Sequence, residues 1–182
     1  RYINLMSTMK LVVDEYKQLK RAFSGGFTHA SVFFSGKVVE DITSVDFTSS
    51  YPAVMIAEQF PMSSSEEIEI TSKEDFYHNL KYYCCLFDVH FEGLESTFLY
   101  ENYISESHCF NKKGIITNNG RIVSADSIDL TITEQDFLII MRTYKWKVLK
   151  VGNFRRYHKG YLPKDLIKAI LRLYENKTTL KG

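Results

Sequence analysis

The sequence predicts an α+β fold, and three observations support this prediction. The 182 residues suit one domain, or one domain with a sizeable insertion. Apolar residues make up 45% and charged residues 25%, which is typical of globular proteins and excludes disordered and collagen-like classes. Segments whose apolar residues have the spacing of a helix alternate with segments whose apolar residues have the spacing of a strand. Turn signals at Ser35-Gly36 and Asn118-Asn119-Gly120 separate short β segments.

The N-terminal part is predicted to contain a helix, two strands and the start of a second helix. The first helix covers residues 10–23, and its apolar stripe consists of Val12, Tyr16, Leu19 and Phe23. Strands over 28–34 and 37–47 follow, so that Asp46 comes at the end of a strand. Pro52 suits the first turn of the next helix, whose apolar run covers 53–57.

The central part begins with a predicted loop over 61–74, whose acidic residues are Glu66, Glu67 and Glu69. A strand over 82–91 follows, because its side chains alternate strictly and place one set on a single face: Tyr83, Cys85, Phe87, Val89 and Phe91. The many aromatic residues of this region could stack on nucleic-acid bases. On an alternating strand, however, aromatic residues more often belong to a core.

Two more elements and a final helix are predicted towards the C-terminus. Thr133 followed by Asp136 indicates a helix start, and the buried stripe of that helix is Phe137, Ile140, Met141 and Tyr144. Residues 148–151 are predicted to form a strand. Pro163 opens the last helix, whose apolar positions are Leu166, Ile167, Ile170, Leu171 and Tyr174.

The formal net charge of +1 hides a strong asymmetry along the chain. Residues 142–182 carry 12 Lys and Arg against two acidic residues, whereas residues 1–141 carry 11 Lys and Arg against 20 Asp and Glu. A basic block of this kind favours an anionic partner such as nucleic acid or a triphosphate. The alternative is that the basic and acidic parts pack against each other.

The three cysteines, Cys84, Cys85 and Cys109, are a poor disulfide framework and indicate a reducing, cytoplasmic setting. Together with nearby histidines they could be read as zinc ligands, but their spacing matches no usual zinc finger, so we expect buried thiols and no zinc. No apolar run approaches the ~20 residues of a transmembrane helix, and no signal peptide is visible. We therefore expect no membrane partner.

The segment from Val45 to Pro52 is the most informative part of the sequence. Asp46 is followed by small hydroxyl residues, by Tyr51 and by the helix-starting Pro52. A carboxylate at this place can hold a hard divalent cation, and the backbone carbonyl of Phe47 can add a second oxygen ligand. The simpler alternative is that Asp46 caps the following helix.

Asp46-Phe47-Thr48-Ser49-Ser50-Tyr51-Pro52 resembles motif A of family B DNA polymerases, whose pattern is Asp-x-x-Ser-x-Tyr-Pro. Phe23-Ser24-Gly25-Gly26-Phe27 resembles the Tyr-x-Gly-Gly segment of the protein-primed subgroup used by phages and linear plasmids, with Phe23 in place of the Tyr. Lys177-Thr178-Thr179 resembles the start of the fingers helices. The resemblance implies a partial polymerase palm with antiparallel strands plus a small inserted α+β subdomain.

The resemblance also implies a role for each matching residue. Asp46 would be a catalytic carboxylate and, with the carbonyl of Phe47, a ligand of the two Mg²⁺ or Mn²⁺ ions of the complete enzyme. Backbone amides near Ser49 and Ser50 would face the triphosphate, and Tyr51 would lie under the deoxyribose and exclude a 2′-hydroxyl. Further phosphate contacts would come from Lys177, Arg172 and Lys181, and template contacts from Gly25, Gly26 and Phe27.

By the same resemblance the chain divides into three parts. Residues 1–60 would be the start of the palm with motif A, 61–151 an inserted subdomain, and 152–182 the return to the palm and the first fingers helix. In the protein-primed subgroup such an insertion docks the terminal protein, the priming protein whose hydroxyl starts the new strand. The acidic loop could meet a basic priming protein or could simply be solvated. Expected partners are primer-template DNA, dNTP and a candidate terminal protein.

The Asp-Thr-Asp segment that completes the active site in this family does not occur in the sequence, and neither do the exonuclease carboxylates. One carboxylate holds two cations only weakly, so the chain alone is expected to be inactive and monomeric. It would act within a longer enzyme in the cytoplasm of a bacterial host. Two alternatives stay open: a non-catalytic docking module for a terminal protein or DNA, and a metal-dependent nuclease that lacks a second carboxylate motif.

Overall fold

The computed structural model describes residues 11–28, 30 and 33–179 and confirms the α+β class. The helices of this part are α1 (Val13–Ala22), α2 (Ser50–Ala57), α3 (Lys73–Tyr82), α4 (Glu134–Thr143) and α5 (Lys164–Thr179). Its strands are β1 (Phe60–Pro61), β2 (Glu66–Ile68), β3 (Tyr83–Ser96), β4 (Phe110–Lys113), β5 (Ile116–Asn118), β6 (Arg121–Thr133), β7 (Tyr144–Lys145) and β8 (Val148–Gly160).

One antiparallel sheet organises the fold, in the order β1-β8-β3-β6-β4, with β2 on β8, β5 on β6 and β7 on β3. The central strand is β3, and its Phe91 lies opposite Ile128 of β6 and Leu149 of β8. The strand predicted over 82–91 is therefore confirmed and continues to Ser96. The strand predicted over 148–151 likewise continues to Gly160, so β8 runs across the expected boundary between residues 151 and 152.

The main core lies between one face of the sheet and helices α3 and α4. Alternation along β3 places Phe87 and Phe91 in this core, which confirms the interpretation of these two aromatic residues as core. Phe76 of α3 meets the rings of Phe87 and Phe137 edge to face, with centroids 5.5 and 5.1 Å away. Aromatic pairs in this geometry add to the stability that burial provides.

Helix α4 begins where the sequence predicts, at a reciprocal capping box. The Thr133 hydroxyl accepts a hydrogen bond from the amide of Asp136, and the Asp136 carboxylate accepts one from the amide of Thr133 at 2.9 Å. Ser72 caps α3 in the same way, accepting from the amide of Asp75 at 3.0 Å. A cap of this kind stabilises a helix by about 1 kcal/mol. These two caps hold the helices that cover the core.

Helix α1 covers the opposite face of the sheet, but it buries a different side from the predicted one. Tyr16 and Phe23 of the predicted stripe are exposed, whereas Glu15 and Gln18 are buried. The prediction of the helix is thus confirmed, and the prediction of its buried side holds only for Leu19, which packs against Cys84, Leu86 and Tyr157. Periodicity of apolar residues could not reveal a side that is held by polar contacts.

Those contacts join α1 to β8. The Tyr157 hydroxyl donates a hydrogen bond to Glu15 at 2.8 Å. The Gln18 amide donates to the carbonyl of Asn153 at 2.7 Å and accepts from Arg155 at 3.0 Å. Because α1 leads directly into Gly25 and Gly26, this network fixes where the glycine segment begins.

The strand predicted over 37–47 is not formed. The turn at Ser35-Gly36 is confirmed, with Gly36 at a φ of 71°, but no strand of the described residues pairs with 37–47. A strand forms only where a neighbour satisfies its backbone groups. Without one, Val38 and Val45 stay 94% and 87% exposed, and Asp46 follows an unpaired segment. Of the strand predicted over 28–34, residues 29, 31 and 32 lie outside the described residues, and the described ones are not strand.

The last helix, α5, begins directly after Pro163 as predicted. Its apolar positions Leu166, Ile167 and Ile170 are half-buried, and α5 contacts α2. Because α2 carries Tyr51, this contact brings the C-terminal helix beside the segment that follows Asp46. None of the helices in the described part of the chain is long and apolar enough to cross a bilayer.

Candidate nucleotide and nucleic-acid site

Asp46, Phe47 and Tyr51 are exposed to solvent around the start of α2. The exposed fraction is 86% for Phe47 and 84% for Tyr51. The cap of α2 is Ser49, in a left-handed conformation at a φ of 56°, so the simpler interpretation of Asp46 as the cap is wrong. A non-glycine residue in this region costs about 1 kcal/mol, and strain of this kind concentrates at functional sites.

The first turn of α2 presents backbone N–H groups without acceptors. The first helical hydrogen bond is donated by Ala53 to the carbonyl of Ser49 at 3.0 Å, and Pro52 has no N–H. The amides of Ser50 and Tyr51 meet no acceptor among residues 11–28, 30 and 33–179. Amides left open at a helix N-terminus attract anionic groups such as phosphate.

Asp46 fits one position of a divalent-cation site and does not complete it. Its exposed carboxylate and the carbonyl of Phe47 are hard oxygen donors of the kind that Mg²⁺ takes. Within the described part of the chain, no three His, Cys, Asp or Glu side chains come together to hold a metal ion. The remaining ligands of such a site would have to come from other groups.

Gly25, Gly26 and Phe27 lie on the surface, beyond the end of α1. A Cβ added to Gly25 or Gly26 would meet no atom within 4 Å, so no described part of the chain requires glycine there. The Phe27 ring stacks on Tyr103 with 6.2 Å between centroids and lies 4.8 Å from the guanidinium carbon of Arg121. Phe27 thus anchors the segment to Tyr103 and Arg121, while both glycines face open space.

The predicted phosphate-binding residues of α5 do not share one side of the helix. Arg172 and Lys177 are five positions apart, which at about 100° per residue puts them about 140° apart around the axis. Arg172 instead continues a row with Lys164 and Lys168, both exposed and spaced by four, which the sequence analysis missed. Lys181 lies outside the described residues.

Two residues of the acidic segment form ion pairs with arginines of β8. Its strand β2 pairs with β8, where Glu66 contacts Arg156 at 2.8 Å and Glu67 contacts Arg155 at 3.2 Å. The hydrogen bond to Glu66 raises the pKa of Arg156 above its ordinary value. Part of the basic block therefore pairs with acidic residues inside the molecule, while the cationic row on α5 stays exposed.

The cysteines are buried thiols, as predicted. Cys84 and Cys85 face opposite sides of β3 and belong to separate clusters. Burial raises the pKa of Cys84 to about 11 and those of Cys85 and Cys109 to about 12. All three thiols are therefore protonated at neutral pH, which makes them weak nucleophiles.

A buried carboxyl group, Glu134, was not found by the sequence analysis. It accepts a hydrogen bond from the amide of Cys85 at 2.6 Å, and burial raises its pKa above the ordinary value. It lines a cavity of about 420 Å³ between α1, β1 and β3. Nothing in the sequence separates Glu134 from an exposed residue of a helical first turn, because its burial depends on the packing of α4 against β3.

Comparison with protein families gives one match over nearly the whole chain. The model for DNA polymerase type B, organellar and viral, matches residues 6–175. No curated protein sequence matches the chain significantly.

Comparison with solved structures finds the same fold in phi29 DNA polymerase. Its complex with primer-template DNA and incoming nucleotide substrates matches with a TM-score of 0.69 and 18% identity, over 92% of this chain. Its binary complex with primer-template DNA matches with a TM-score of 0.58 and 16% identity over 93%, and its orthorhombic crystal form with 0.55 and 19% over 87%. The chain spans 29%, 27% and 27% of the length of these three polymerase chains.

Proposed function

Because this chain belongs to the organellar and viral type B DNA polymerases, we propose that it is part of a DNA-directed DNA polymerase and carries one side of its nucleotide site. The observation that carries the proposal is the pair of exposed side chains, Asp46 just before α2 and Tyr51 in its first turn. An Asp46 carboxylate engaged in capping α2 would be less free to bind a cation, and the cap is Ser49 instead. The resemblance seen in the sequence agrees with the family match.

Asp46 supplies one of the carboxylates of this site, and the carbonyl of Phe47 supplies a neighbouring oxygen ligand. Bound Mg²⁺ or Mn²⁺ ions, two in the complete enzyme, would neutralise charge on the phosphates during phosphoryl transfer. Since Asp46 alone does not complete a ligand set, the isolated chain is inactive. The second carboxylate belongs to another part of the polymerase.

The first turn of α2 binds the nucleotide. Open amides at Ser50 and Tyr51, next to the left-handed Ser49, point towards bound triphosphate oxygens. The ring of Tyr51 lies against the deoxyribose and rejects a 2′-hydroxyl by steric conflict. This role needs an exposed ring, and 84% exposure of Tyr51 leaves its face available.

The exposed cations of α5 contribute to anion binding from two sides. Lys177 contacts the nucleotide phosphates and lies on the side of α5 that carries Leu166 and Ile170. Arg172 lies about 140° from Lys177 around the axis of α5 and contacts a different phosphate group. The role of Lys181 stays a prediction.

Gly25 and Gly26 allow the template strand to approach the backbone closely. Their missing side chains leave room that no described residue fills. Phe27 keeps the segment in place through Tyr103 and Arg121. The polymerase would replicate phage or plasmid DNA in the cytoplasm of a bacterial host, and the chain by itself would be a monomer.

A docking role is the second candidate function. Residues 61–151 would be an insertion that receives a terminal protein, and exposed Phe98 and Leu99 after β3 favour a protein contact there. Titration of the chain with a priming protein and with primer-template DNA, each across a salt series, separates the two. A steep salt dependence with DNA supports the nucleic-acid role.

Primer extension by the polymerase that contains this chain tests the proposed function. Asp46→Ala should abolish extension while leaving the melting temperature unchanged, because the side chain is exposed and the cap of α2 is Ser49. Glu40→Ala, which removes another exposed carboxylate of the same segment, is the matched control and should keep activity. Full activity of the Asp46→Ala enzyme would contradict the proposal, as would robust extension by the isolated chain with Mg²⁺.

A further inference from the structure

A mostly apolar cavity lies at the end of the sheet where β3 begins, under helix α1. It encloses about 420 Å³, and sites that hold small ligands measure roughly 300–1,000 Å³. Its apolar wall consists of Leu11, Leu19, Phe60, Pro61 and Leu86. None of the described residues that line it belongs to the first turn of α2, so this cavity is separate from the candidate nucleotide site. We call it the Glu134 cavity.

A carboxyl group is held at the cavity wall because β6 ends beside the start of β3. Leu86 of β3 pairs with Thr133, the last residue of β6, so the amide of Cys85 has no partner in that strand. Glu134, the first residue of α4, accepts a hydrogen bond from this amide at 2.6 Å instead. This bond fixes the carboxylate in the interior, where Glu134 is only 5% exposed.

The polar part of the wall is acidic. Glu15 of α1 and Glu134 are both buried and both line the cavity, whereas none of the described residues that line it is Lys, Arg or His. Lys159 lies outside the wall and acts on Glu134 only through its charge, since its ammonium group donates to the carbonyl of Lys81 at 3.4 Å. With both carboxyls ionised, the cavity holds two negative charges, and Lys159 offsets one of them.

The remaining negative charge has no cation to balance it. The donors that reach Glu134 are the amide of Cys85, its own backbone amide and the thiol of Cys84, which is a weak donor. Burial therefore raises the pKa of Glu134 above its ordinary value, which favours a neutral, protonated carboxyl. A monovalent cation in the cavity would take the place of this proton and balance the charge.

The wall also decides what kind of cation fits. Inorganic divalent cations take about six or more oxygen ligands, and an apolar wall with two carboxyls offers too few. An ammonium group needs hydrogen-bond acceptors on one side only, and an apolar body attached to it would gain from contact with Leu19, Phe60 and Leu86. The cavity therefore suits an amphipathic organic cation.

We propose that the Glu134 cavity binds a small organic monocation that consists of an ammonium group on an apolar body. The ammonium group pairs with the carboxylate of Glu134, and the apolar body packs between α1, β1 and β3. This inference goes beyond the proposed function and does not depend on it, because neither Asp46 nor Tyr51 lines the cavity.

Isothermal titration calorimetry of the chain with hexylammonium chloride at neutral pH tests this proposal, with hexanol as the uncharged analogue. Glu134→Gln removes the charge and keeps an oxygen that can accept from the Cys85 amide. Leu19→Phe takes up part of the cavity volume. The matched controls are Glu74→Gln, at an exposed carboxylate of α3, and Leu173→Phe, at an exposed position of α5; neither residue lines the cavity.

The wild type should bind hexylammonium at least about tenfold more tightly than hexanol, because a charge-assisted hydrogen bond is about twice as strong as a neutral one. Glu134→Gln should weaken hexylammonium binding about tenfold and leave hexanol binding unchanged. Leu19→Phe should weaken binding of both compounds, since it fills space that either one would occupy. Both controls should bind like the wild type, and thermal unfolding followed by circular dichroism checks that every variant is folded.

Three results would overturn the proposal. The first is absence of hexylammonium binding by the wild type at about 10 mM, which is weaker than a specific small-ligand site. The second is equal affinity for hexylammonium and hexanol, or full hexylammonium affinity in folded Glu134→Gln, since either would make the cavity merely apolar. The third is binding of the peptide Gly-Lys-Gly as tight as that of hexylammonium, which would assign the cavity to a lysine side chain of a polypeptide. All three leave the proposed function standing, because primer extension by the Asp46→Ala enzyme tests that function separately.

Discussion

Removing the hydroxyl of Tyr157 should loosen α1 from the sheet. That hydroxyl donates to the carboxylate of Glu15 at 2.8 Å, and both side chains are buried. Burial, together with the Glu15 carboxylate, raises the pKa of Tyr157, so the phenol stays a neutral donor over the whole range of interest. The variant Tyr157→Phe keeps the ring and deletes only the donor.

The expected loss follows from the burial of the acceptor. A hydrogen bond to a charged group contributes about 1.5–3 kcal/mol, and here its removal leaves Glu15 buried without its donor. We expect Tyr157→Phe to lower the free energy of unfolding by about 2 kcal/mol, which for a chain of this length corresponds to about 4–8 °C in Tm. Glu15→Gln should cost less, and the double variant should cost less than the sum, with a coupling energy of about 1 kcal/mol.

Urea unfolding followed by circular dichroism measures these differences, provided that the m-value stays constant among the variants. Tyr161→Phe is the matched control, because the Tyr161 side chain is exposed and makes no hydrogen bond among the described residues. An unfolding free energy of Tyr157→Phe within about 0.3 kcal/mol of the control would refute the reasoning. Strict additivity in the double variant would show that the two side chains do not act together.

Two further predictions concern the core. The free energy of unfolding of Glu134→Gln should rise relative to that of the wild type between pH 4.5 and neutral pH. The pKa of the Glu134 carboxyl is raised in the folded state, so its ionisation opposes folding as the pH rises above the unfolded pKa. Urea unfolding at pH 4 and pH 7 measures this, and an equal difference between variant and wild type at both pH values would contradict it. Phe137→Ala should lower the free energy of unfolding by about 3–5 kcal/mol, because the ring is fully buried against Phe76 and its removal leaves a cavity in the core. A loss below about 1 kcal/mol in the same assay would contradict the packing.

The elements that the sequence predicts correctly are those with a local signal. The alternation of β3, the capping box at Thr133 and the helix after Pro163 each depend on residues within one short segment, and each is present in the structure. The turn at Asn119-Gly120 is also present, with both residues at a positive φ. Local chemistry was sufficient in these places because tertiary contacts reinforce it.

The predictions that fail depend on distant partners. Residues 37–47 have the pattern of a strand, but a strand forms only beside a neighbour, and none of the described strands pairs with them. The buried side of α1 is set by Tyr157 and Arg155, which lie more than a hundred residues further along the chain. Glu66 and its partner Arg156 are 90 residues apart, so the pairing of the acidic segment could not be assigned from its own residues.

The candidate site shows the same division. The motif around Asp46 was recognisable because its residues are adjacent in the sequence, and the structure adds their exposure and the left-handed cap at Ser49. The cavity lined by Gly25, Phe27, Ser105 and Arg121 was not visible in the sequence, because it combines the glycine segment with residues about 80 to 100 positions later. Sites assembled across the fold carry no signal in any single stretch of sequence.

The account depends on Asp46 and Tyr51 lining one nucleotide pocket, and the selectivity of incorporation tests this most directly. In the polymerase that contains this chain, the ratio of dNTP to rNTP incorporation should fall by at least about tenfold in Tyr51→Val, since a steric difference of 1–3 kcal/mol is typical of a shaped pocket. Tyr77→Val, which alters another exposed ring on α3, should keep the wild-type ratio. An unchanged ratio in an active Tyr51→Val enzyme would contradict the placement of the nucleotide beside Asp46.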